Sequence, residues 1–89
     1  MISTTDDWVI AQVRMLVGRH AGLLVSAETL SFSDNLYDAG MNSLASVTLL
    51  LSLEESFNVF FPDTMLNQET FQNLGSICNA ISNLRRDTL

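Results

Sequence analysis

The sequence predicts an all-α fold: a small four-helix bundle of three main helices and one short helix, with a long first loop. Three observations predict it. Apolar residues recur at helical spacing in three separate segments. No segment alternates apolar and polar residues as a half-buried strand would. The chain has 89 residues, 47 % of them hydrophobic, which is enough for one domain over 1–89 with a single core cluster.

The first helix is expected to start near Thr5. Thr4 or Thr5 can cap it, and Asp6 and Asp7 fall in its first turn, where carboxylates favour the positive end of the helix dipole. Val9, Val13, Leu16 and Val17 form its buried stripe. Gly18 and Gly22 flank its exit. Ala27 to Gly40 reads as a long loop, with Leu23, Leu30, Phe32, Leu36 and Tyr37 as anchors onto the core. A loop this long is uncommon and often functional.

The second helix is predicted over Ser43 to Phe57, with Leu44, Val47, Leu50, Leu51 and Phe57 as its core face. Ala45, Ser46, Thr48 and Ser52 fall mostly on the other faces. Pro62 disfavours helix at Phe61, and Asp63 can cap a short third helix over Thr64 to Asn67. The last helix covers Asn73 to Arg85, with Leu74, Ile77, Cys78, Ile81 and Leu84 as its stripe and Arg85 and Arg86 at its negative end.

Charge and composition narrow the function. Four Lys+Arg against ten Asp+Glu give a formal net charge of −6. Phosphate backbones repel such a field, so nucleic acid is not an expected partner, whereas a basic protein surface is. One cysteine allows no intramolecular disulfide and no multi-cysteine zinc site. The start, "MISTTDDW", lacks a basic segment and an apolar run, so no secretory signal is read there. The window "VTLLLSL" is too short to span a bilayer. No membrane association is expected, and the expected compartment is the cytoplasm.

Several site chemistries fail on spacing. With Gly40 as the sixth residue of a calcium loop, only Asn35 at the first position fits, and no metal site is expected. "GMNSL" is not the G-x-S-x-G of a serine hydrolase, and His20 is the lone histidine, so no catalytic residue is expected. Cys78, on an apolar stripe, reads as a small core hydrophobe. Ser43, directly before an apolar-periodic segment, reads first as a helix cap.

The surroundings of Ser43 point further. "DAGMNSLASV", followed by "LEESF" and "FPD", resembles the prosthetic-group site of the acyl carrier protein family. The family pattern is approximately D-x-G-x-D-S-L-x-x-V, then E-E-x-F near a helix end, then a hydrophobic residue with P-D. Asp38, Gly40, Ser43, Leu44, Val47, Leu53, Glu54, Glu55, Phe57, Pro62 and Asp63 take part in the match. The helix order fits as well, so the resemblance covers nearly the whole chain.

The resemblance implies a non-catalytic carrier. A phosphopantetheinyl transferase would attach 4′-phosphopantetheine to the Ser43 hydroxyl, and the arm's thiol would hold an acyl group as a thioester. Amides at the start of the second helix favour the phosphodiester anion. Two positions depart from the pattern. Asn42 replaces the usual Asp, removing a negative charge where the transferase and its magnesium would engage. The helix face behind Ser43 carries Ala45, Ser46, Thr48 and Ser52, leaving only Glu54 and Glu55 as acids, so electrostatic steering is weak.

Together with "FPDTMLNQETF", the stretch looks like the small aminoacyl carrier proteins that pair with stand-alone amino acid:carrier protein ligases, which resemble seryl-tRNA synthetases. That subtype is the preferred expectation. A carrier for fatty-acid or polyketide synthesis is the alternative, and an unmodified helical interaction module the second. Met41, Asn42, Leu44, Ala45, Ser46, Thr48 and Met65 are the expected partner-binding residues, for the loading enzyme and for a downstream acyl acceptor. Leu44 counts for both the core face and this surface.

Overall fold

The computed structural model describes residues 7–87, without the side chains of the last two. It contains three α-helices: α1 (Asp7–His20), α2 (Ser43–Phe57) and α3 (Leu74–Asp87). Two single 3-10 turns, Ala27–Thr29 and Asp63–Met65, punctuate the connections, and no strand occurs among the described residues. The all-α class therefore holds. The fourth helix does not form. Pro62 occupies the cap position of the second 3-10 turn without a side-chain bond, and Asp63 opens that turn instead of capping it. The expected caps Thr4, Thr5 and the first-turn Asp6 lie outside the described residues, as does the Arg86 side chain.

The three helices share one core. Val9, Val13, Leu16 and Val17 of α1 meet Leu74, Ile77, Cys78 and Ile81 of α3, as the two stripes predict. The exit of α1 lies by the start of α2, where Gly22 faces Ala45. The start of α1 lies by the end of α2, where the rings of Trp8 and Phe57 are 5.8 Å apart. These two helices therefore run antiparallel. Arg85, near the end of α3, stacks over Trp8 at 4.5 Å, which closes the same end of the bundle.

The face of α2 differs from the expectation. Leu49, Leu53 and Phe57 are buried, at i, i+4 and i+8. Leu44 is 77 % exposed, Val47 52 % and Leu51 59 %, and Leu50 is half-buried. Of the five expected core residues only Phe57 is fully inside. The cause is that α2 is apolar on almost every side. Spacing alone then cannot choose a face, and packing of α1 and α3 makes the choice.

The long connection is a structured strap. The Arg14 guanidinium donates to the carbonyls of Ala27 (2.7 Å) and Leu30 (2.9 Å), tying it to α1. The Leu36 N–H donates to the Gln72 carbonyl at 2.7 Å, and the Gly75 N–H to the Phe32 carbonyl at 3.1 Å, tying it to the start of α3. Leu30 and Leu36 are buried anchors as expected, and Leu23 and Tyr37 pack at the core's edge. Phe32 is mainly exposed, because its backbone rather than its ring makes the attachment.

Candidate functional site

Ser43 is the first residue of α2, but it is not the cap. Asn42 is: its backbone is extended, and its Oδ1 accepts from the Ala45 N–H at 2.8 Å. Its carbonyl accepts the first helical bond, from the Ser46 N–H at 2.9 Å. This corrects the capping reading of Ser43 and changes its meaning. The Ser43 side chain is exposed, and its hydroxyl makes no hydrogen bond to the described residues. The N–H groups of Ser43 and Leu44 lie beside it at the positive end of the helix, where the Asn42 side chain accepts only from the Ala45 N–H. A nucleophilic oxygen thus stands free where an attached phosphate would be stabilised.

The turn before it is held by backbone. Gly40 has φ of +126°, a conformation that a side chain would strain. A Cβ there would also come 3.0 Å from the Leu24 backbone nitrogen and 3.1 Å from the Gly22 carbonyl. The neighbouring Leu24 N–H donates to the Ala39 carbonyl at 2.8 Å, and the Met41 N–H to Leu36 at 3.0 Å. Asn35 Oδ1 accepts from the N–H groups of Tyr37 (2.8 Å) and Asp38 (3.1 Å). The exit of α1 and the turn at residues 35–41 therefore clamp each other and fix where α2 begins.

The expected partner surface divides. Leu44 and Thr48 are exposed on the outer side of α2, and Ser46 is half-buried there. Ser46 Oγ donates to the Ser43 carbonyl at 2.7 Å, and Thr48 Oγ1 to the Leu44 carbonyl at 3.3 Å, so these hydroxyls are turned back onto the helix. Met41, by contrast, is only 3 % exposed and is a core residue, because the bond between its N–H and Leu36 turns it inward. Ala45 and Met65 are half-buried against the core, which leaves them little contact surface. Glu54 is not a free acid on the outer face either. Its Oε2 accepts from the Phe61 N–H at 2.9 Å and pins the segment after α2.

The sequence reading missed two contributors. Leu24, 86 % exposed beside Gly40, adds an exposed apolar side chain to Leu44, Val47 and Leu51 of α2. An open groove of about 580 Å³ runs from Ser43 along α2 to the segment at 66–71. Its lining includes Tyr37, Val47, Leu50 and Phe71. Its far wall includes Leu66, Asn67 and Gln68 of the "FPDTMLNQETF" segment. Among the described residues no cluster of three or more His, Cys, Asp or Glu is placed to hold a metal. No helix among them is long and apolar enough to cross a membrane.

A helix capped by Asn42, with an exposed serine hydroxyl at its positive end over a closed three-helix core, is an arrangement suited to carrying a covalently attached anionic group. Comparison with known proteins agrees. Residues 11–81 match the family described as "Phosphopantetheine attachment site", and the chain belongs to that family, whose members carry 4′-phosphopantetheine. The chain is 36 % identical over 67 residues to an aminoacyl carrier protein of Agrobacterium fabrum, covering 75 % of this chain and 81 % of the relative. Its fold superposes with a TM-score of 0.78 and 33 % identity on a structure of an engineered Bradyrhizobium japonicum glycine:[carrier protein] ligase complexed with a carrier protein from Agrobacterium tumefaciens and AMP. That match covers 81 % of this chain and 96 % of the other. A holo acyl carrier protein from Nitrosomonas europaea matches at 0.71 and 27 % identity, over 94 % of this chain and 100 % of the other. The function is that of a carrier protein.

Proposed function

We propose that Ser43 is the attachment point and that the cargo is an aminoacyl group. One observation carries the first part: the Ser43 hydroxyl is exposed and unbonded because Asn42 does the capping. A transferase would form the bond from the Ser43 oxygen to phosphorus as the pyrophosphate of coenzyme A breaks, with adenosine 3′,5′-bisphosphate leaving. The attached arm supplies a thiol that holds cargo as a thioester. The chain contributes the anchoring oxygen, the helix end that favours the phosphate, and a surface for its partners. The chain acts as a single carrier unit in the cytoplasm, where coenzyme A is available, and makes and breaks no bonds of its own.

The aminoacyl cargo is supported by the name of the Agrobacterium fabrum relative and by the ligase complex that the fold matches. An amino acid:carrier protein ligase would load the arm, and a downstream enzyme would accept the group. Leu44, Thr48 and Ser46, with Asn42 at the helix start, are the residues offered to them. Incubation with coenzyme A, magnesium and a broad-specificity transferase, read by mass spectrometry, tests the site. A mass gain that Ser43→Ala abolishes supports it, and a gain retained in that variant sinks it. Loading by an aminoacyl ligase but not by an acyl-chain synthetase supports the cargo; the reverse result makes the protein an ordinary acyl carrier.

A further inference from the structure

Two exposed stripes share one side of the bundle. On α1, Trp8, Met15 and Arg19 stand at i, i+7 and i+11, with every side chain exposed. On α2, Leu44, Thr48, Leu51 and Glu55 stand at i, i+4, i+7 and i+11, again all exposed. Trp8 packs on Phe57 at the end of α2, so the α1 stripe follows the edge of α1 next to α2. Each stripe is mainly apolar and ends on a charge. Because α1 and α2 are antiparallel, the charges come at opposite ends of the face: Arg19 towards the start of α2, Glu55 towards Trp8. The fold uses neither charge. Of the arginine side chains described, Arg14 is bound to the strap carbonyls and Arg85 stacks on Trp8, whereas Arg19 makes no hydrogen bond or ion pair to the described residues. Glu55 makes none either, unlike Glu54, which accepts from the Phe61 N–H.

We propose that two copies of the chain associate through this face in a weak, reversible dimer; the inference does not depend on Ser43 being the attachment point. The charge pattern names the occupant. A twofold axis lying in the face, perpendicular to the line from Arg19 to Glu55, sets Arg19 of each copy against Glu55 of the other. Two ion pairs then flank an apolar centre built from Met15 and Leu51, and the face is complementary to itself. Elsewhere a chain with a formal net charge of −6 repels its own copy. On this face one cation and one acid balance, so two copies approach here against the least repulsion. A uniformly basic partner would meet Arg19, and a uniformly acidic one Glu55. The size of the face sets the strength. At about 1.5 Å per residue the run from Trp8 to Arg19 is about 16 Å long, and the face is two helices wide. Such a footprint falls well below the roughly 800 Å² per partner of a stable complex. The dimer is therefore transient, which suits a carrier whose Leu44 and Thr48 are also offered to enzymes. Association covers these two residues, and dissociation releases them.

Sedimentation of the full-length protein over a concentration series reaching about 1 mM tests this. A monomer–dimer equilibrium is expected. The emission of Trp8, the lone tryptophan, should shift to shorter wavelength as the dimer forms. Arg19→Glu and Glu55→Arg each bring like charges together. Each should raise the dissociation constant about two- to thirtyfold, the worth of two exposed ion pairs. The double variant reverses both pairs and should regain the wild-type constant. Circular dichroism should be unchanged in all three, since both positions are exposed. A protein that is monomeric throughout overturns the proposal. So does a dimer that the single changes leave intact, or that the double variant fails to restore. A monomer whose Trp8 emission shifts only when the loading ligase is added also overturns it, and gives the face to the enzyme.

Discussion

The Ser43 hydroxyl makes no hydrogen bond to the described residues, whereas the Asn42 amide closes the helix end. Neighbouring substitutions should therefore separate function from stability. Ser43→Ala is expected to shift the unfolding free energy by no more than about 0.5 kcal/mol while abolishing arm attachment. Asn42→Ala should cost about 1 kcal/mol, the usual value of a lost cap. Asn42→Asp keeps the cap and adds a carboxylate at the positive helix end, so it should be neutral or stabilising by about 0.3–1 kcal/mol. It should also speed modification by transferases that engage an acidic residue there. Urea melts with parallel mass spectrometry check all three variants, and a large stability loss in Ser43→Ala would mean that the hydroxyl is structural. The sequence singled out Ser43 as a candidate through its neighbours. The capping role of Asn42 was not legible there, because Asn and Ser are both good caps and only the backbone shows which one is extended.

The limits of α2 were readable to the residue, and its orientation was not. Gly40 and Asn42 mark the start, and Asn58, in the left-handed conformation at φ 53°, marks the end. Between them Leu44, Val47, Leu51 and Leu49, Leu53, Phe57 form two apolar lines, and each satisfies helical spacing. A helix that docks a partner keeps apolar side chains outside as well as inside, so hydrophobicity alone overstates the core. In α1 and α3, whose outer faces are more polar, the same reasoning located the buried stripes correctly. The two lines of α2 should behave differently. Leu53→Ala should cost about 2–5 kcal/mol by opening a cavity, measured by chemical denaturation. Leu51→Gln should change stability by less than about 0.5 kcal/mol but slow loading by the partner enzyme. Equal stability losses from both would contradict the observed burial.

Across the whole molecule the bundle keeps its one cysteine shut away. Cys78 packs between α1 and α3, and burial pushes its thiol up to about 11, with the nearby Arg14 charge pulling only partly the other way. The thiolate is the reactive form, so Cys78 should resist thiol reagents at pH 8 for as long as the domain is folded. A carrier whose working thiol is at the end of an arm gains from this: the two sulfurs do not compete. The apo protein should then titrate no thiol until denatured, and the arm-bearing protein should titrate one at once and a second on unfolding. Rapid labelling of the folded apo protein would contradict the burial of Cys78. The same shift sets a pH dependence. Well below pH 9.0 the thiol is protonated in both states. Between about 9 and 11 the unfolded chain gives up its proton first, so it binds fewer protons than the folded chain and stability falls as pH rises. Tyr37, also raised by burial, adds a loss of the same sign above pH 10.0. Stability curves of Cys78→Ala and Tyr37→Phe should each be flatter than wild type in that range. A bundle this small tolerates the arrangement because the strap, held by Arg14 and the start of α3, closes the core without help from a disulfide.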